Sequence, residues 1–201
     1  MQRPGAEPGP VGILLCAGFG RRFGGDKLLA PLADGTPVAV ASARTLLAAL
    51  GRAVAVLRPG QTGLAARLAE TGIEVLIRPQ AEQGMGASLA AAVQFQPQAS
   101  GWLVALGDMP WVSEDTHREV ALALQRGASI VAPFHQGQRG HPVGFGAAWG
   151  ADLAGLSGDE GARALLRQQA AQVTCIDVDD PGCLRDVDTP QDLLGQRPQG
   201  R

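Results

Sequence analysis

Residues 15–28, Leu15-Cys16-Ala17-Gly18-Phe19-Gly20-Arg21-Arg22-Phe23-Gly24-Gly25-Asp26-Lys27-Leu28, decide how this chain is read. They continue from Gly12–Cys16 (GILLC), an apolar run that reads as a buried first strand. The glycines Gly18, Gly20, Gly24 and Gly25 carry no Cβ, so successive backbone N–H groups can turn inward toward phosphate oxygens. Arg21, Arg22 and Lys27 add positive charge. A mobile surface turn would explain neither these basic residues nor the position directly after a strand. Of 17 basic residues, Lys27 is the single lysine. Lysine is a compact point charge and arginine a planar fork, so the lone lysine marks Lys27 for attention.

Two other phosphate loops are excluded. A Walker loop needs Gly-Lys followed by Ser or Thr, whereas Lys27 lies between Asp26 and Leu28. A dinucleotide fingerprint needs Gly-x-Gly-x-x-Gly and an acidic residue about 20 positions on. Gly18, Gly20 and Gly24 have the wrong spacing, and the second strand ends in Leu57-Arg58-Pro59.

Working outward, Pro37–Leu50 has helical apolar spacing and stops at Gly51. Ala53–Leu57 and Ile73–Ile77 read as strands flanking a helix at Thr62–Glu70. Gly84-Met85-Gly86 opens an Ala-rich helix to about Phe95. Trp102–Leu106 is a further strand, ending in Gly107-Asp108-Met109-Pro110. Ser113 caps a helix to about Arg126 with Glu114 and Asp115 in its first turn. Ser129–Ala132, Pro142–Phe145 and Val173–Val178 read as strands, Glu160–Gln169 and Pro190–Leu194 as helices. Strands alternating with helices imply a largely parallel sheet covered on both faces. In such sheets the ligand sits outside the carboxyl ends of the strands, which puts Ala17–Lys27 and Gly107–Pro110 on one rim.

Asp108 should stand at that rim, beside the phosphates that the glycine loop would hold. Mg²⁺ prefers one or two carboxylates plus phosphate oxygens and waters. Asp108 also suits a plain turn before Met-Pro, and Asp188 a helix start at Asp-Thr-Pro.

Leu-x-Ala-Gly-x-Gly-x-Arg-Phe-Gly-x-x-Lys resembles the signature loop of the MobA-like nucleotidyltransferases, with molybdenum cofactor cytidylyltransferase the nearest branch. The resemblance continues through Gln83-Gly84-Met85-Gly86-Ala87-Ser88-Leu89, Gly107-Asp108-Met109-Pro110, Gly140-His141-Pro142-Val143, Gly158-Asp159-Glu160-Gly161-Ala162-Arg163 and Asp186-Val187-Asp188-Thr189-Pro190. Cys16 departs from the Ala usual at its position. The resemblance implies a Rossmann-like three-layer α/β fold with a mostly parallel, mixed sheet, of the nucleotide-diphospho-sugar transferase type. It implies Lys27, Arg22 and Asp108 as catalytic residues, with Arg22 preferred over Arg21 because it precedes Phe23. It also implies a nucleotide site at Ala17, Gly18, Gly20, Gly24, Lys27, Gln83, Gly84 and Ser88, and Mg²⁺ or Mn²⁺ on Asp108 and Asp188. His141, Asp159 and Arg163 match the acceptor side, although His141-Pro142 also suits a strand entry and Gly158-Asp159 a helix cap.

The implied reaction is transfer of CMP from CTP to the terminal phosphate of molybdopterin or molybdenum cofactor. A phosphate nucleophile is already anionic, which fits the lack of any convincing His–carboxylate or Cys–His pair. Ala17-Gly18 resembles the cytidylyl branch, where guanylyl enzymes have Gly-Gly, so CTP is expected over GTP. One methyl discriminates by only about 1–3 kcal/mol. Alternatives are guanylyl or cytidylyl transfer to another phosphorylated small molecule, as in a molybdopterin guanylyltransferase or a transferase for an isoprenoid or redox-cofactor precursor, or a non-catalytic carrier of molybdenum cofactor. A glycosyltransferase reading of Asp186-Val187-Asp188 leaves the glycine loop unexplained. The resemblance also implies a molybdoenzyme or its chaperone as a partner.

Length and composition agree. The 201 residues and 45% hydrophobic content suit one core, read as a domain over 11–195 with flexible tails at 1–10 and 196–201. A net charge of −2 argues against a nucleic-acid-coating protein, and no apolar run is long enough for a membrane helix. Cys16, Cys175 and Cys183 show no paired or metal-ligand spacing and suggest a reducing cytoplasm. Met85, Phe95, Trp102 and Trp149 are expected in the core, and His117 and His135 carry no functional case.

Overall fold

Along the central strands, alternate residues feed two separate apolar layers, and this two-sided burial organises the molecule. The computed structural model describes residues 9–20 and 23–194, so the expected tails lie largely outside the described residues. The strands are β1 (Val11–Leu15), β2 (Ala53–Leu57), β3 (Glu74–Ile77), β4 (Gly101–Leu106), β5 (Ile130–His135), β6 (Gln138–Arg139), β7 (Val143–Gly146) and β8 (Val173–Asp177). The helices are α1 (Val38–Leu50), α2 (Thr62–Ala69), α3 (Met85–Phe95), α4 (Glu114–Gln125), α5 (Gly150–Ala154), α6 (Arg163–Gln168) and α7 (Pro190–Leu194).

One face of the sheet carries Val11, Ile13, Val54, Val56, Trp102 and Val104 against Leu89 and Val93 of α3, Leu153 of α5 and Leu166 of α6. The other carries Leu14, Ala55, Leu57, Leu103 and Ala105 against Leu46 of α1, Leu64 of α2 and Val120 of α4. The strands read as apolar runs because both of their faces are covered. No described helix is long and apolar enough to cross a membrane.

The order is β3-β2-β1-β4-β7-β5-β6, with β8 on β5. β1 pairs in parallel with β2 and β4, and β2 with β3. β7 runs antiparallel to β4 and β5, while β8 is parallel to β5, so the sheet is mixed as expected. From β1 the chain proceeds outward to β2 and β3, then crosses back to place β4 on the other side of β1. This reversal is the topological switch point at which open α/β sheets bind ligands.

Most boundaries shift by one to three residues from the sequence reading. The final helix before β8 starts at Arg163, because residues before it form a loop against α3. Ser113 caps α4 as expected, accepting the Thr116 N–H at 3.1 Å. Trp102 is buried (2% exposed), but Phe95 is not a core residue (38% exposed). It ends the last turn of α3 and stacks with the Arg78 guanidinium, 5.8 Å from its ring centre.

Candidate active site

The switch point is built by a close approach that Gly107 permits. Its N–H donates to Leu15 O (3.0 Å), and a Cβ there would stand 2.6 Å from Cys16 Sγ. The ends of β1 and β4 are thereby held together, with the glycine loop rising from one and Asp108 from the other. The Val187 N–H donates to Asp108 O at 2.8 Å, drawing in the segment after β8. Val187 is fully buried, so Asp186 and Asp188 on either side of it stay at the surface of the cleft.

Three carboxylates from two distant parts of the sequence thus converge. One oxygen from each of Asp108, Asp186 and Asp188 lies within 4.8 Å of the others. Lys27 Nζ donates to Asp108 Oδ2 at 2.6 Å and to Asp188 Oδ1 at 3.3 Å. Burial depresses the Lys27 pKa, but the hydrogen bonds and charges of Asp108 and Asp188 outweigh it, and the net shift is upward. Lys27 is therefore an ammonium at neutral pH. Partial desolvation, then the charges of Asp108 and Asp188, push the Asp186 carboxyl above its ordinary value. An all-oxygen, multiply anionic set that already attracts one cation fits a hard divalent ion completed by phosphate oxygens and water.

A cavity of about 260 Å³ opens between the loop and α3. Ala17, Gly18, Gly20, Lys27 and Asp108 line one side, Gly84 and Ser88 another, with Asp159 at its edge. Gly84 is required there. Its φ of 125° is left-handed, and a Cβ would collide with Asp159 Oδ1 and stand 2.6 Å from Gly158 O. The Gly86 N–H donates to Gly158 O at 2.8 Å, so the start of α3 and residues 157–159 form one wall. Ser88 is buried and donates its hydroxyl to Gly84 O at 2.9 Å, which fixes the wall without pointing a free hydroxyl into the cavity. Gln83 borders the adjoining cleft shared by Lys27, Asp159 and Asp188.

Of the expected nucleotide residues, Gly24 stands apart, lining neither this cavity nor the adjoining cleft. Arg22 lies outside the described residues. His141 and Arg163 meet in a neighbouring, largely apolar pocket that also touches Leu15, Met85 and Leu106 of the main cavity. Asp159 lines the main cavity instead of that pocket. The His141 N–H is held by Cys183 O at 2.9 Å, and burial lowers its imidazole pKa to about 4. It is a neutral ring at physiological pH. Sequence reasoning missed Met85, Phe19 and Ala81 as cavity residues. It treated Asp186 only as part of an Asp-x-Asp string; that spacing was the available signal.

Comparison with known proteins agrees with this geometry. A model of the MobA-like NTP transferase domain matches residues 12–173. The chain is 32% identical over 195 residues to nicotine blue oxidoreductase of Paenarthrobacter nicotinovorans, covering 92% of this chain and 95% of that one. It is 31% identical over 197 residues to purine catabolism protein PucB of Bacillus subtilis (strain 168), with the same coverages. The crystal structure of Rv0371c from Mycobacterium tuberculosis H37Rv superposes with a TM-score of 0.79 at 29% identity, covering 94% of this chain and 97% of that one, and that protein has also been seen in complex with manganese. The mixed sheet covered by helices on both faces is the Rossmann-like three-layer α/β fold expected from the sequence. With the family match running from β1 to the first residue of β8 and both relatives covered nearly end to end, this chain belongs to the MobA-like NTP transferases and is a nucleotidyltransferase of that family.

Proposed function

We propose that the chain transfers CMP from CTP to the terminal phosphate of molybdopterin or molybdenum cofactor, releasing pyrophosphate, with residues 11–195 acting as one domain. The observation that carries this reading is the convergence of Lys27, Asp108 and Asp188 beside a cavity bordered by Ala17 and the glycine loop. An oxygen of the acceptor phosphate attacks the α-phosphorus of CTP. A P–O bond forms there, the bond to the β-phosphate oxygen breaks, and its electron pair leaves with pyrophosphate. No general base is needed, because the nucleophile is already anionic.

Asp108 and Asp188, with Asp186 beside them, would hold Mg²⁺ or Mn²⁺, which when bound neutralises phosphate charge and aligns the reacting groups. Lys27 supplies a fixed positive charge at the same place, and the loop amides of Gly18 and Gly20 face the phosphates. Arg22 completes this set in the proposal. Asp159, Gln83 and Gly84 shape the cleft. His141 and Arg163 border the pocket into which the acceptor extends. The reaction belongs to the cytoplasm, and a molybdoenzyme or its chaperone would receive the product.

Pyrophosphate release measured with each of the four NTPs, with and without molybdenum cofactor, tests the reading. Release with CTP that requires the cofactor supports it. Cofactor-independent indifference to all four NTPs favours a carrier, and release that needs a different phosphorylated acceptor moves the reaction to that acceptor. The Paenarthrobacter relative is named for a redox activity. Turnover of nicotine blue without pyrophosphate release would replace the transfer reading.

A further inference from the structure

The turn after β2 places a second cation against the glycine loop, on a residue that neither the sequence motifs nor the reaction has used. Arg58 follows Leu57 at the carboxyl end of β2, next to β1 in the sheet. Its backbone is fixed to the loop through Gln61. The Arg58 N–H donates to Gln61 Oε1 at 2.9 Å, and Gln61 Nε2 donates to Cys16 O at 3.0 Å. Gln61 is buried, so this bridge ties the end of β2 to the first residue of the glycine loop away from competing water.

The side chain is set as firmly. The guanidinium carbon lies 4.6 Å from the ring centre of Phe19, within the loop itself. Phe19 is 52% exposed, and its stacking with Arg58 orients the guanidinium plane. Arg58 Nε is buried and has no hydrogen-bond partner among the described residues. A buried guanidinium N–H without an acceptor is costly, and such groups in native structures call for an explanation.

Arg58 also borders open space. Arg58 lines a cavity of about 250 Å³ together with Gly18, Phe19, Gly20, Asp26 and Lys27. Gly18, Phe19, Gly20 and Lys27 also line the nucleotide cavity, so the two spaces share the glycine loop as a common wall. We propose that Arg58 binds the β- and γ-phosphates of the NTP, and then the departing pyrophosphate, in this loop-side cavity. The inference rests on the transfer reading above and names the residue that receives its leaving group. The Asp26 carboxylate on the same wall disfavours a bare polyanion, so the ligand is the magnesium complex of the oligophosphate, whose charge is partly neutralised. A planar fork stacked on Phe19 suits two phosphate oxygens at once, a task for which the point charge of lysine is less adapted.

The test is direct binding of magnesium pyrophosphate and, separately, of CMP to the full chain by titration calorimetry, in wild type, Arg58→Gln, Arg58→Lys and Phe19→Leu. Circular dichroism and melting temperature serve as folding controls. Arg58→Gln is expected to weaken magnesium pyrophosphate by about 10- to 50-fold, the loss of one charge-assisted hydrogen-bonding group. CMP, which lacks the β- and γ-phosphates, should bind within about twofold of wild type by the same reasoning. Arg58→Lys should fall between wild type and Arg58→Gln, and it keeps the test informative if the glutamine variant folds poorly. Phe19→Leu should weaken pyrophosphate by a smaller factor, about two- to fivefold, through loss of the stack. Equal affinity of wild type and Arg58→Gln for magnesium pyrophosphate overturns the assignment, as does a wild type that transfers nucleotide without measurable pyrophosphate affinity. A wild type that neither transfers nucleotide nor binds pyrophosphate overturns the transfer reading and the Arg58 assignment together.

Discussion

The ammonium of Lys27 lies 2.6 Å from Asp108 Oδ2, joining the glycine loop to the end of β4 across 81 positions of sequence. Both groups are largely shielded from solvent, so their attraction is less screened than that of a surface pair. The pair brings opposite charges to the place where the proposed transfer needs both a cation and a metal ligand.

Asp108→Ala should abolish nucleotidyl transfer and weaken Mn²⁺ binding, while the sheet persists because β4 is held by β1 and β7. Electron paramagnetic resonance of added Mn²⁺ reads the binding, and circular dichroism the fold. A folded variant that retains full activity, or a wild type active in excess chelator, counts against a metal at Asp108.

Gly84→Ala tests the wall between α3 and residues 157–159. The new Cβ would overlap Asp159 Oδ1 and press on Gly158 O, at a backbone angle that alanine disfavours. A destabilisation of about 2 kcal/mol or more is expected in urea denaturation, with a raised KM for NTP. An unchanged unfolding midpoint would mean that the wall yields easily.

The elements that were legible in the sequence are those with a period. β1, β2 and β4 announce themselves as apolar runs because both faces are buried, and Ser113 announces α4 because a side-chain acceptor at the N-cap has a local cause. β6 has only two residues and turns at Gln136-Gly137, so it has no pattern to read. The role of Asp186 was hidden for a different reason. Its place beside Asp108 depends on the Val187–Asp108 backbone hydrogen bond, a tertiary contact with no local signature. Arg58 was hidden likewise, since its relation to the loop runs through Gln61 and Phe19 and not through any motif. Phe95 was misplaced because helical spacing shows that a residue is apolar, not that the helix end remains covered.

Stability should fall on acidification over a window set by His141. Burial lowers its pKa from 6.5 to about 4, and Asp108 only partly opposes this. Between those values the unfolded chain binds more protons than the folded one, so stability is present above pH 6.5, declines as pH falls, and levels off near 4. His117, lowered chiefly by burial, adds to the trend in the same direction. Melting temperature against pH for wild type and His141→Gln checks this. The variant should show a shallower decline, and identical slopes would rule out His141 as its source.

Nucleotide choice should depend on Ala17, whose buried methyl lines the cavity. CTP should have the higher kcat/KM in wild type, and Ala17→Gly should relax the CTP:GTP ratio by about tenfold, the scale of one methyl. A wild type with the higher kcat/KM for GTP would reverse the choice of nucleotide and leave the reaction class standing.

The central claim is that Lys27 and the carboxylates act on the phosphates of a bound NTP, and single-turnover transfer at saturating NTP tests it most directly. A unit charge about 4 Å from a phosphate is worth roughly 4 kcal/mol at an effective dielectric near 20, part of which is returned as hydration. Lys27→Met should therefore slow transfer by on the order of 10²–10³-fold, with circular dichroism showing an intact fold. Lys27→Arg should also be clearly impaired, because a planar fork replaces a point charge between Asp108 and Asp188. An arginine variant within twofold of wild type would reduce the requirement to charge alone, and a folded Lys27→Met protein as fast as wild type would contradict the phosphate site itself.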